Sequence, residues 1–239
     1  MPIDGAVRQT AGSELSALRH DRLQAREALE RAGTLAFKPV SSAKWVDVEF
    51  TRSGLIRVRI EHDTIAGVTP EMMRWWFENL AGTTTWNGVD FTGPEVSHYH
   101  LWHHRDHIAV TPAPVATPAA KIGTDTTFTI DEQFNDYRER IHATVTTTRL
   151  DEEEFTFDIH KAGVRVGRIV HLYGPTTGGL RFYAETTIGF ESGPWRAVNA
   201  VRPLFYSART ADHWIRHNIE ETGRSEDVIP HMYARAMDN

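Results

Sequence analysis

The sequence predicts an α+β fold in which a curved antiparallel sheet wraps around a long C-terminal helix and encloses a cavity, the helix-grip arrangement. Three observations predict it: a hairpin pattern near residue 50, a run of strands from Phe128 to Phe190 with no helix between them, and one long apolar-striped helix near the C-terminus. Strands joined without crossover helices pair antiparallel. At 239 residues with 40% hydrophobic content, the chain is long enough for one substantial core, and no shift in composition divides it.

Each element has its own signal. Ser13 followed by Leu15, Leu18, Leu23, Ala28 and Leu29 up to Gly33 reads as a capped amphipathic helix, so residues 1–39 are expected to be a helical extension. Trp45 to Phe50 and Ile56 to Ile60 alternate with period two around Arg52-Ser53-Gly54, a hairpin signal. Thr69-Pro70-Glu71 starts a helix with a capping hydroxyl, a first-turn proline and an acid; Met72, Trp75, Trp76 and Leu80 form its apolar face, and Gly82 stops it. Thr111 to Pro118 reads as an exposed loop. Strands are expected over 128–134, 141–148, 155–159, 164–173 and 180–190, with a turn at 174–179.

The final helix is expected over 201–222, closed by Gly223, with Leu204, Phe205, Ala208, Ala211, Ile215 and Ile219 in one stripe. Its other side carries Tyr206, Thr210, His213, Trp214, His217 and Glu221, an unusual composition for a face that meets only water. The helix-grip domain is therefore expected over 40–225, with 226–239 as a tail.

Charge and composition narrow the function. The net charge of −6 offers no positive field for nucleic acid. Apolar runs such as Trp75-Trp76-Phe77 are far shorter than a membrane span, and Met1-Pro2-Ile3-Asp4 lacks a leader's basic start, so a cytoplasmic protein is expected. With no cysteine among its residues, the chain must hold any metal with imidazole and carboxylate, which directs attention to its 13 histidines.

His217 and Glu221 stand one helical turn apart and reach a common point; an intrahelical ion pair is the commoner cause of that spacing. The segment 98–107 holds five histidines among aromatic residues. If it is extended, His98, His100 and His104 share a side, while His103 and His107 require a break in register. Glu132 falls on the core side of an apolar strand, where a carboxylate needs an arginine or a metal. His171 sits in a similar apolar strand, where a hydrogen-bonded structural histidine is the usual explanation.

Trp102-His103-His104-Arg105-Asp106-His107-Ile108, Glu132 within Ile130-Asp131-Glu132-Gln133-Phe134, His171 and the His217/Glu221 pair together resemble the diacetylphloroglucinol hydrolase and phloretin hydrolase family. Met72-Met73-Arg74-Trp75-Trp76-Phe77 resembles that family's helix, and the resemblance runs from about residue 40 to residue 225. It implies a Bet v 1/START-like helix-grip fold and one zinc ion held by two histidines and two glutamates. The implied reaction is hydrolysis of the carbon–carbon bond between an acyl group and a polyhydroxylated aromatic ring. By motif the ligands are His103, Glu132, His217 and Glu221, with Asp106, His107 and His171 as catalytic or pocket groups. Members carry proline where this chain has His104, so the first ligand is His103 or His104.

In such a reaction the ring hydroxyls let the ring tautomerise and leave as carbon, with His171 moving the proton. Trp75, Trp76, Tyr183, His213 and Trp214 are the expected contacts to a small aromatic ketone, and the oligomeric state, a homodimer included, is left open. Two rivals share the fold: a carrier enclosing an apolar ligand without turnover, and a metal-dependent lyase or decarboxylase.

Overall fold

A computed structural model describes residues 36–113, 121–135 and 138–238. The helix expected over 13–33 and most of the loop expected after Thr111 lie outside the described residues. Nine strands form one antiparallel sheet: β1 (Trp45–Phe50), β2 (Ile56–Glu61), β3 (Ile65–Ala66), β6 (His107–Ala113), β7 (Thr127–Phe134), β8 (Glu139–Leu150), β9 (Glu154–Lys161), β10 (Val164–Thr176) and β11 (Gly179–Ile188). Their order is β1-β2-β11-β10-β9-β8-β7-β6, with β3 beside β11. A small pair, β4 (Thr83–Thr85) and β5 (Glu95–Ser97), stands apart from it. The helices are α1 (Pro70–Glu78), α2 (His98–Trp102) and α3 (Ala208–Met237). The result is an α+β fold with a large antiparallel sheet and a long C-terminal helix.

Alternation drives the hairpin. Ile56, Val58 and Ile60 are fully buried, while Arg57 and Arg59 on the other face pair with Glu49 and Asp47. Gly54 supplies the turn's left-handed conformation at φ 83°. The turn after β10 is tighter than expected, because both strands extend through Pro175 to Thr176 and Gly179. Proline is tolerated there because β9 stops pairing with β10 at Leu172, leaving that side of the strand without a ladder.

In α1 the Thr69 hydroxyl accepts from the Met72 amide as expected, but Met73, Trp76 and Phe77 form the buried face and the helix ends at Asn79. The largest difference lies in α3. Residues 194–204 form short 3-10 turns, leaving Leu204 exposed outside the helix. Ser207 caps α3 in a reciprocal pair with Thr210. The helix then continues through Gly223 to Met237, so 226–237 is part of it and not a tail. Gly223 serves close approach instead of termination: a Cβ there would sit 2.9 Å from the Lys38 side chain, whose amine pairs with Glu226 at 2.8 Å. Buried Ile215, Ile219, Val228 and Ile229 hold the helix in the core.

Candidate metal centre and cavity

The histidine-rich segment is neither wholly extended nor wholly helical. Ser97 accepts from the His100 amide and caps the single turn of α2. The chain then turns through 103–106 and enters β6 at His107, which is registered directly opposite Glu132 on β7. That turn separates His103 from His107. His107 enters the sheet beside Glu132, while His103 remains at the end of α2.

Four side chains converge beneath α3. His107 Nε2 lies 3.3 Å from Glu221 Oε2 and 3.9 Å from Glu132 Oε1, and His217 Nε2 lies 3.7 Å from Glu221 Oε2. One ligand atom each of His107, Glu132 and His217 falls within 4.8 Å of the others, and all four residues are buried. The His217/Glu221 spacing supplies two groups from one helical turn, and the β6–β7 register supplies the other two.

Each of these groups has an outer partner. His107 Nδ1 donates to the Tyr99 carbonyl at 2.6 Å, and His217 Nδ1 donates to Asp106 Oδ2 at 3.2 Å, so in both rings Nε2 is the atom turned to the cluster. The Tyr99 hydroxyl donates to Glu132, and Asn218 Nδ2 donates to Glu221 Oε1 at 2.7 Å. Because that amide must present its NH2 to the carboxylate, its oxygen accepts from His62 Nε2 at 3.1 Å.

Electrostatics follow from burial and these contacts. Burial alone would lower the His217 pKa, but Glu221, Asp106 and Glu132 raise it to about 9. Burial opposes ionisation of Glu221, yet the His217 and His107 rings hold its carboxyl below the ordinary carboxylate value. Burial pushes His171 down to about 4 and His62 to about 3, so both are neutral at pH 7.

His103, expected as a ligand, is engaged elsewhere. Its Nδ1 accepts from the Asp106 amide at 3.0 Å and its Nε2 meets Glu220 at 3.2 Å. His103, Asp106 and His217 also bring ligand atoms within 4.8 Å, but Arg105 already occupies Asp106 at 3.0 Å and contacts Glu220, a cation that disfavours a second one. His104 stacks on Phe37 at 4.6 Å.

The four-residue cluster adjoins a cavity of about 550 Å³ with Glu132, His171, Trp214, His217 and Glu221 on its wall. His171 lies parallel to Phe77 at 5.7 Å, and its Nδ1 has no hydrogen-bond partner among the described residues. The other expected substrate contacts lie off this wall. Trp76 stacks on His98 at 5.4 Å and Trp75 meets Tyr233 edge-on. Tyr183 faces Trp45 and donates to Glu185 on the sheet's other side, and His213 binds Glu139 at 2.5 Å.

No family model and no curated protein match the chain. Solved structures that match the chain include a protein from Mycobacterium smegmatis, at 9% identity and TM-score 0.40, covering 82% of this chain and 99% of that one. A Rhodobacter sphaeroides protein matches at 10% identity and TM-score 0.42, covering 80% and 99%. The di-domain ARO/CYC protein BexL of the BE-7585A biosynthetic pathway matches at 13% and TM-score 0.45, covering 95% of this chain and 59% of its own length.

Sequence reasoning did not single out Tyr99, Asn218 or His62. Asn218 lies one position past His217 on the helix, and Tyr99 lies within the histidine-rich segment, so both had a positional signal. His62 had none, because its hydrogen bond toward the cluster goes to Asn218 on a distant element.

Proposed function

We propose that the protein is a metal-dependent hydrolase of aryl ketones, with zinc held by His107, Glu132, His217 and Glu221 on a Bet v 1/START-like helix-grip fold in the cytoplasm. The observation that carries this reading is the donor set: two imidazole Nε2 atoms and two carboxylates, buried together, each oriented by an outer hydrogen bond, beside a largely apolar cavity. That donor set fits zinc, which supplies a water of lowered pKa and polarises the acyl oxygen.

The chain's own residues do the rest. Trp214 and the aromatic wall bury a flat ring and exclude water. Neutral His171, whose Nδ1 has no hydrogen-bond partner among the described residues, takes a proton from a ring hydroxyl and returns it to the ring carbon as the acyl bond breaks. Water adds its hydroxyl to the acyl carbon and its remaining proton returns to the ring oxygen, so the products are a carboxylic acid and the bare polyphenol. Among the described residues no helix is long and apolar enough to cross a membrane, in keeping with this reading.

An apolar cavity would serve a carrier as well, but a carrier gains nothing from two buried carboxylates, which are costly to desolvate. Turnover of an acylphloroglucinol in solvent labelled with heavy oxygen tests the proposal. Label in the acid product, without any need for dioxygen, supports it; binding without turnover favours the carrier.

A further inference from the structure

A second polar group sits at the other end of the same cavity. Along α3 the cavity wall is a single stripe: Thr210, Trp214, His217 and Glu221 follow one another at intervals of three and four. The seven residue steps from Thr210 to His217 span about 10 Å of helix. At the Thr210 end stand Glu139 and Tyr206, both on the wall. Glu139 is registered opposite Phe134, on the inward face of the sheet that also carries Glu132.

Glu139 is held in place by two donors. The Thr210 hydroxyl reaches one oxygen at 2.6 Å and His213 Nδ1 the other at 2.5 Å, and each oxygen keeps a further lone pair. These contacts tie β8 to the start of α3, which explains Glu139, Thr210 and His213 but leaves Tyr206 unexplained. Tyr206 is buried, Arg202 pins its backbone carbonyl at 2.6 Å, and its hydroxyl has no hydrogen-bond partner among the described residues. Burial, reinforced by the Glu139 charge, raises its pKa, so the hydroxyl keeps its proton. A buried hydroxyl without a partner costs about 1–3 kcal/mol, a cost that a ligand's polar atom removes.

We propose that Tyr206 and Glu139 form a distal subsite for a ligand hydroxyl, which accepts from the Tyr206 O–H and donates to the Glu139 carboxylate. The same wall carries apolar side chains, Ile130, Phe134, Ile141 and Trp214 among them. The ligand class is therefore a flat, apolar molecule with a carbonyl at one end and a neutral hydroxyl about 10 Å away at the other. The carbonyl end of that ligand rests on the proposed function, whereas the hydroxyl end rests on the cavity and not on the metal.

The test uses two rigid probes titrated calorimetrically into the full chain: a para-linked biphenyl methyl ketone with a hydroxyl on its far ring, and the same molecule without that hydroxyl. The hydroxylated probe is expected to bind about tenfold more tightly. In Tyr206→Phe, an isosteric change, the preference should fall below about threefold while affinity for the deoxy probe is kept. Equal affinity of the two probes for the unaltered protein, failure of both to bind, or a full preference retained in Tyr206→Phe would overturn the subsite. Repeating the titration after chelation separates the two readings, because the preference is expected to survive metal removal even if the hydrolase reading fails.

Discussion

His107 Nε2 and Glu221 Oε2 lie 3.3 Å apart, joining the first residue of β6 to the middle of α3. That contact makes His107 the imidazole that faces Glu132 and Glu221, while His103 points to Glu220. His107→Ala is therefore expected to weaken zinc binding by at least about 100-fold, whereas His103→Ala should weaken it by only about tenfold, the low end of what residues outside the ligand set contribute. Competition titration against a chromophoric chelator measures both. Equal losses, or a larger loss in His103→Ala, would move the ligand set back toward α2.

The His62–Asn218–Glu221 chain predicts an effect on metal affinity from a residue that never touches the metal. His62→Leu removes the donor that fixes the Asn218 amide and should weaken zinc binding by about 10–100-fold. His62→Gln, which keeps a donor, should recover much of the loss. Identical affinities in the two variants would assign His62 to packing alone.

Zinc uptake should release protons. In the metal-free protein His217, facing Glu221, Asp106 and Glu132 as well as the His103 and His107 rings, has its pKa raised to about 9. Metal must displace a proton from Nε2 below that value, so apparent affinity rises with pH up to about 9 and levels off above it. Calorimetry in buffers of different ionisation enthalpy counts the protons, and a count of zero at pH 7 would contradict the assignment.

The same shifts fix how metal-free stability depends on pH. His217, with a raised pKa, contributes stability that is complete below pH 6.5 and is lost as pH rises through about 9. His171 and His62, with lowered values, contribute stability that is complete above pH 6.5 and is lost as pH falls through about 4 and about 3. Urea unfolding of chelated protein should place greatest stability near pH 6.5, and His171→Phe should flatten the acid limb. An unchanged acid limb would show that His171 is not buried in its neutral form.

Much of the fold is legible in residue periodicity because burial imposes it. The β1–β2 alternation, the Thr69 cap and the meander from β7 to β11 all follow from local pattern. What periodicity does not carry is contact with distant chain. Gly223 reads as a helix stop until Lys38 is seen to pack against it, and Leu204 reads as helix core until the short turns before Ser207 expose it.

In the candidate site, Glu132, His217 and Glu221 were legible because a carboxylate on an apolar face and an i, i+4 pair are local signals. His107 and not His103 stands beside Glu132 because the turn between α2 and β6 is set by strand register with Glu132, a relation across 25 residues. Trp75 and Trp76 pack around His98, as the side chains next to a buried histidine do, and do not reach the cavity wall.

In the proposed site two histidines and two glutamates bind a single metal ion. Elemental analysis of untagged protein, purified without chelator, tests it most directly. About one zinc per chain is expected, falling to near zero in His107→Ala and in Glu221→Ala. Protein without stoichiometric metal, or full occupancy in both variants, would contradict the claim.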